Sequence, residues 1–238
     1  MQYRRILLKV SGEALAGGKG YGIDDATLKS FSGLVKSAVS ANVQVGLVIG
    51  GGNFFRGISA GSVIERVNAD QMGMLATVMN ALAFRSAIVD AGLKCTIMSA
   101  IPIPSMTEPV SSAKAISHLE QGRVVIFAGG TGSPFFTTDT TAALRALEIK
   151  ADVFIKATKV NGIYDKDPVK HEDAKFFKEL DYDTVLKMNL GVMDAAAISL
   201  CRENALEVRV INIFEHESLA RLLKGEEVGS VLRTRRGM

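Results

Sequence analysis

The sequence predicts an α/β protein organised around parallel strands, and two observations carry that expectation. Short apolar, β-branched runs of strand length recur at Arg4 to Val10, Val43 to Ile49, Leu93 to Met98, Val124 to Phe127, Asp152 to Ile155 and Val208 to Ile213, with helix-spaced stretches between most of them. Several of these runs stop at glycines, hydroxyls or a cation, and the carboxyl ends of strands are where open α/β sheets bind ligands.

The stretch Val124 to Ala146 is the centre of the pattern. Its strand runs into Gly129, Gly130 and Gly132, which let the backbone turn sharply, and Pro134 stiffens the exit. Thr137, Thr138 and Asp139 are helix N-cap types ahead of Ala142-Ala143-Leu144. Free N–H groups and a positive dipole end then meet at one point, which suits a phosphate-bearing ligand. Taken alone, the segment equally describes an ordinary β-to-α turn.

Around this centre the remaining elements follow in order. Lys9 interrupts the first buried strand just before Ser11-Gly12-Glu13, and an ammonium there is costly unless it meets an anion. The glycine-rich turn Gly17 to Gly22 is either a lid or a plain loop, and an amphipathic helix begins at Asp24 and runs to about Ala41. The second strand opens directly into Gly50-Gly51-Gly52, with Arg56 close behind as a planar cationic fork for phosphate oxygens. Ser62 to about Ala91 is a long, unusually apolar helical stretch, to be covered on more than one face by the protein's own core or by a second subunit. Asp70 in it is either a sugar-hydroxyl acceptor or an exposed helix aspartate.

Further on, Ile101-Pro102-Ile103-Pro104 enforces extended chain before a helix from Ser111 to Gln121. After Asp152 to Ile155, the loop Lys156 to Pro168 supplies two ammoniums, hydroxyls, carboxylates and the Tyr164 ring, which can stack on a base. The remainder reads as scaffold: Ala174 to Leu180, helices at Tyr182 to Lys187, Ala195 to Asn204 and Ser218 to Lys224, and Asp194 as a simple N-cap.

Composition narrows the class. With 238 residues, 47% of them hydrophobic, the chain can bury a substantial core as one domain over 1–238. Net charge +3 is too mild to imply nucleic acid, and the basic tail Arg233 to Arg236 reads as a solvated end. Cys95 and Cys201 stand apart in apolar settings, which predicts free thiols and a reduced, cytoplasmic location. The start turns polar too early for a signal peptide, and no apolar run is expected to reach membrane-spanning length.

Sparse histidine and the lack of a nucleophile elbow leave phosphoryl transfer as the chemistry the cations and glycine turns fit, since it needs positioning and charge more than proton chemistry. Neither G-x-x-x-x-G-K-[ST] nor G-x-G-x-x-G is present, which disfavours a P-loop kinase or a dinucleotide enzyme.

Five segments in this order, RILLKVSGEAL, VIGGGNFFRG, DQMGMLATVMN, GGTGSPFFTTDTTAALRA and KATKVNGIYDKDP, resemble the bacterial uridylate kinases of the amino acid kinase superfamily. The resemblance implies a three-layer αβα sandwich with a mainly parallel central sheet, a homohexamer, and transfer of the γ-phosphoryl of Mg·ATP to UMP. It puts Lys9, Ser11 and Gly12 on the ATP phosphates with Gly52 and Arg56 beside them, Val10 among the ATP-binding residues, and Thr158, Tyr164 and Asp167 in the adenine and ribose pocket. It puts UMP on Gly51, Asp70, Thr131, Gly132, Ser133, Pro134, Phe135, Phe136, Thr137 and Thr138. Asp139, Lys156 and Asp194 are the remaining polar candidates near transfer; Lys9, Arg56, Asp139 and Lys156 form the implied catalytic set, with no residue assigned to Mg2+. GTP activation maps onto Gly17, Gly18, Lys19, Gly20, Tyr21, Gly22 and Arg85, but Val89 and Thr96 stand where some members carry polar or basic groups; UTP is the implied inhibitor. An acyl- or carbamoyl-phosphate enzyme would share Lys9 and the glycine turns but not the FFTTD segment.

Overall fold

The computed structural model describes residues 1–55, 63–215 and 217–234. In chain order the elements are β1 (Arg5–Val10), α1 (Gly12–Leu15), α2 (Asp25–Ser40), β2 (Gln44–Ile49), α3 (Arg66–Asp90), β3 (Cys95–Ser99), β4 (Glu108–Pro109), α4 (Ser112–Glu120), β5 (Val124–Ala128) and α5 (Thr138–Glu148). They continue with β6 (Val153–Thr158), β7 (Ile163–Tyr164), β8 (Phe176–Phe177), β9 (Glu179–Asp181), α6 (Tyr182–Lys187), α7 (Ala195–Glu203), β10 (Glu207–Asn212), α8 (Ser218–Leu223) and β11 (Ser230–Arg233).

Nine strands form one sheet in the order β4-β3-β5-β2-β1-β6-β10-β11-β9. Its pairs are parallel, except that β10 and β11 run antiparallel. Strand order reverses at β1: β2 lies on one side of it and β6, reached only after β5 and α5, on the other. Such a switch point opens a crevice at the carboxyl ends of the strands.

Successive side chains of a strand point to opposite faces, so β1 feeds two cores. Ile6, Leu8 and Val10 pack with residues of α2, α3 and α8. Leu7 packs on the other face with residues of α4, α5, α6 and α7. The result is the expected αβα layering.

Local sequence sets the helix starts. Asp24 accepts the Thr27 N–H at 2.8 Å ahead of α2, and Asp181 accepts the Thr184 N–H at 2.7 Å ahead of α6. By length and composition α3 reaches what a membrane span requires, contrary to the expectation that no apolar run does so. It lies instead on the sheet, with Val78, Ala81, Phe84 and Ile88 in the core.

Two expectations are corrected, and one scaffold segment takes a definite form. β6 runs on to Thr158, so Lys156 and Thr158 are strand residues rather than loop residues. Arg233 ends β11, which lies between β10 and β9 in the sheet, and pairs with Glu179 at 2.6 Å, so this part of the basic tail belongs to the sheet rather than to a solvated end. Ala174 to Leu180 contributes two short strands, β8 and the start of β9. Strands this short leave almost no periodicity to read, and β11 is held by its pairing with β10 and β9.

Candidate active site

The site begins with strand parity. Lys9 shares a face of β1 with Leu7, and Lys156 shares a face of β6 with Phe154, both on the α5 side. The two lysines are register partners across the β1–β6 pair, so two ammoniums emerge side by side at the switch point. Asp139, in the first turn of α5, answers both: Lys9 Nζ lies 3.0 Å from its Oδ1 and Lys156 Nζ 2.7 Å from its Oδ2. Lys156 also donates to the Val192 carbonyl. Lys9 is 7% exposed, so most of its charge meets protein or ligand rather than bulk water.

This burial shapes the acid–base properties. Burial alone would raise the Asp139 carboxyl, but the two ammoniums outweigh it and hold the group below its ordinary range. Lys156 is lowered, first by burial and then by repulsion from Lys9, with Asp139 pulling the other way. A carboxylate so held is a poor base, and its physical role is to keep two cations at one place.

Asp194 is the N-cap of α7, as expected, taking the Ala197 N–H at 3.0 Å. It is more than scaffold: its other contacts are the hydroxyls of Thr137 and, at 2.7 Å, Thr140, so it ties α7 to the start of α5. Burial raises its carboxyl, and the Thr137, Ala197 and Thr140 donors overcome that and lower it. Thr137 in turn caps α5, accepting the Asp139 N–H at 3.0 Å.

The glycines answer two different demands. A Cβ on Gly12 would run into the Gly50 carbonyl and lie 2.7 Å from Gly52 N, and one on Gly51 would lie 2.6 Å from the Gly73 carbonyl. At Gly12, Gly50 and Gly51 the close approach is therefore to the protein's own backbone. Gly129, Gly130 and Gly132 instead hold φ of 75°, 62° and 87°, a region that favours glycine.

Two cavities lie in this region, the first with Lys156 in its wall and the second with Thr137 and Thr138, the residues just before Asp139. One, of about 400 Å³, is lined by Lys156, Thr158, Gly162, Tyr164, Asp167, Val192 and neighbouring residues. The other, of about 150 Å³, is lined by Gly51, Gly52, Asp70, Thr77, Gly130, Ser133, Phe136, Thr137, Thr138 and others between α3 and α5.

The remaining sequence candidates fall around these two. Asp70 accepts the Phe135 N–H at 2.8 Å and is gripped by Arg66, whose Nε lies 2.8 Å from Oδ2; these donors hold its carboxyl low against the effect of burial. Phe135 is exposed and adopts φ 71°, while Thr131 and Ser133 bond to each other within the turn beside Gly132 and Pro134. Tyr164 meets Phe176 edge-on at 5.4 Å, and Asp167 accepts the Val169 N–H at 3.0 Å. The Thr158 hydroxyl is spent on the Val160 carbonyl at 2.7 Å, which shapes the turn.

Val10 gives its side chain to the core and its carbonyl to Gly50 N–H at 2.9 Å, and Ser11 caps α1 by accepting the Ala14 N–H at 3.2 Å. Arg56 lies outside the described residues. The candidate effector residues are divided. Gly22 bonds through both N–H and carbonyl to Asn53, and Tyr21 is edge-on to Phe54, with Gly17, Gly18, Lys19 and Gly20 forming the turn before them. Arg85 sits with Arg123 beside Cys95, whose thiol burial pushes up to about 12 against those two charges.

Sequence reasoning passed over four polar residues here. Thr77 and Asn80 sit on the buried side of α3, and Asn80 exchanges amide hydrogen bonds of 2.7 and 2.9 Å with Asn53. Thr140 and Arg145 line the inner face of α5. The usable signal was polar residues inside the apolar pattern MLATVMNALAF.

Strand-end ammoniums and glycine turns around a switch-point crevice define a kinase-type fold, and the sequence profile of the amino acid kinase family matches residues 4–212. The chain belongs to that family and, within it, to the uridylate kinases. It is 51% identical over 233 residues to the uridylate kinase of Methylococcus capsulatus, covering 98% of each chain. The crystal structure of UMP kinase from Bacillus anthracis superposes with a TM-score of 0.95 at 35% identity, over 100% of this chain and 99% of that one. That of UMP kinase from Ureaplasma parvum gives 0.89 at 31% identity, over 98% and 100%.

Proposed function

We propose that the protein transfers the γ-phosphoryl group of Mg·ATP to UMP, giving UDP and ADP for pyrimidine nucleotide synthesis. The observation that carries this reading is the Lys9–Asp139–Lys156 cluster, with Lys156 in the wall of the larger cavity and Asp139 following the Thr137 and Thr138 that line the smaller one. ATP occupies the larger cavity with its base against Tyr164 and its ribose near Thr158 and Asp167. UMP occupies the smaller one, on Gly51, Asp70 and the segment Thr131 to Thr138.

A UMP phosphate oxygen attacks the γ-phosphorus in line, a new P–O bond forms, and the bond to the ADP oxygen breaks. The attacking oxygen is already anionic, so no base is required, which agrees with a depressed Asp139. Lys9, Lys156 and, from outside the described residues, Arg56 stabilise the charge spread over the transferred group. Gly12 and Gly52 bring amides towards the phosphates. Mg2+ would be carried by the ATP phosphates and would add positive charge at the transferred group; among the described residues no group of three or more His, Cys, Asp or Glu forms a metal site. Phosphate-borne Mg2+ needs only one or two carboxylates and keeps several waters.

The chain acts as one domain, 1–238, in the cytoplasm. Exposed Met72, Leu75, Met79 and Val89 on α3 support a homo-oligomer, a hexamer by family resemblance. GTP activation through Gly17–Gly22 and Arg85, and UTP inhibition at the UMP site, complete the proposal. The test is an assay of ATP against a panel of nucleoside monophosphates and simple carboxylates: UMP is expected to be preferred, and equal phosphorylation of CMP would overturn the uridylate assignment.

A further inference from the structure

We infer that Arg145 and Thr77 are positioning residues: from two different helices they fix the shape of the Gly129–Gly132 turn and thereby set the affinity for the monophosphate acceptor, Thr77 from the wall of the smaller cavity and Arg145 from behind it. The inference rests on the proposal that the smaller cavity takes UMP.

The turn places three residues at positive φ within four positions, a conformation with no ladder of its own to hold it. Its internal closure is one bond, from Gly132 N–H to the Gly129 carbonyl at 3.1 Å. The other ties come from outside. Gly129 N–H donates to Thr77 Oγ1 at 2.8 Å. The Thr77 hydroxyl proton is itself committed to the Met74 carbonyl at 2.6 Å, so the oxygen is fixed as an acceptor.

From the opposite side, Arg145 Nη2 donates to the Gly130 carbonyl at 3.3 Å. Because a trans peptide points its C=O and N–H in opposite directions, this bond turns the Thr131 N–H away from Arg145. Thr131 begins the segment proposed to hold UMP.

A cation near the end of α5 has a simpler use, to complement the helix dipole and pair with Glu148, whose Oε2 lies 2.6 Å from Nη1. That use does not require burial. Arg145 is 4% exposed, its guanidinium lies 5.9 Å from the centre of the Phe127 ring two residues before the turn, and its second arm reaches the turn carbonyl. Burying a guanidinium is expensive, and the contact made by that burial is with Gly130.

The test is initial-rate kinetics with ATP and UMP, together with melting temperature, for Arg145→Lys, Thr77→Val, Thr77→Ser and Glu148→Gln. Losing either tie raises the KM for UMP about tenfold, the equivalent of one hydrogen bond, while the KM for ATP stays within about twofold. Thr77→Ser keeps the hydroxyl and restores the wild-type KM. Glu148→Gln removes the ion pair but not the turn contact, so it lowers the melting temperature and leaves the KM for UMP unchanged. Because both ties act on one turn, Arg145→Lys with Thr77→Val falls short of the product of the two effects. If Arg145→Lys fails to fold, the Thr77→Val and Thr77→Ser pair decides alone. An active wild type whose Arg145→Lys and Thr77→Val forms keep the KM for UMP within twofold, or raise both KM values in parallel, overturns the positioning role. A wild type inactive on UMP refutes the functional reading beneath it.

Discussion

Replacing Lys9 by Met separates the catalytic charge from the packing that carries it. Methionine follows the path of the lysine stem in a site only 7% exposed, so the strand and its neighbours keep their volume. What disappears is the ammonium 3.0 Å from Asp139, leaving Lys156 at 2.7 Å as the remaining partner. Removing one preorganised donor or cation from a transition state costs ~3 kcal/mol, and each ~1.4 kcal/mol is tenfold, so kcat is expected to fall by about two to three orders of magnitude. Stability falls too: breaking a buried pair outright costs about 3–5 kcal/mol, and the persisting Lys156 contact places the loss below that range. The assay is coupled detection of ADP at saturating ATP and UMP, beside thermal unfolding followed by circular dichroism. Adding Asp139→Asn to Lys9→Met also strips the buried Lys156 of its carboxylate partner, so the melting temperature should fall further and the lost turnover should not return. A Lys9→Met enzyme whose kcat stays within tenfold of wild type refutes the reasoning that strand-end ammoniums supply the charge.

Other expectations follow from the same geometry. Gly12→Ala forces a Cβ to within 2.7 Å of Gly52 N, where backbone cannot yield, and overpacking of ~1–3 kcal/mol should lower the melting temperature by about 5 °C. Asp194 has a folded-state pKa below its unfolded value, so its contribution is fully present above the unfolded range near ~3.9 and is lost as pH falls through the depressed folded value. Urea unfolding at stepwise lower pH should therefore show a shallower acid loss for Asp194→Asn than for wild type, and parallel curves would count against it. Asp70→Asn weakens the acceptor for Phe135 N–H and Arg66 and should raise the KM for UMP about tenfold with little change for ATP, read from initial rates. Met79→Glu on the exposed face of α3 should shift the solution mass by light scattering to a smaller species, and an unchanged mass removes α3 from the proposed interface.

Much of the fold was legible because its signals are local. Apolar runs, Asp24, Thr137 and Asp194 caps, and glycines at strand ends fix where elements begin and stop through bonds spanning a few residues. The same locality explains the misses: β4, β8 and β11 are too short to show a period, and Lys156 looked like the start of a loop because a cation interrupts the apolar run there.

The sequence by itself determined that Lys9 interrupts a buried strand, that Lys156 follows an apolar run, that Asp139 lies at a helix start, and that glycine turns lie beside them. Tertiary structure alone decided that Lys9 and Lys156 are register neighbours on one face, with a single carboxylate between them. It also decided that Arg145 and Thr77, from different helices, grip one turn. These relations join residues far apart in the chain through sheet order and helix packing, quantities no local pattern encodes, and the low dielectric of the assembled crevice then makes the placed charges count.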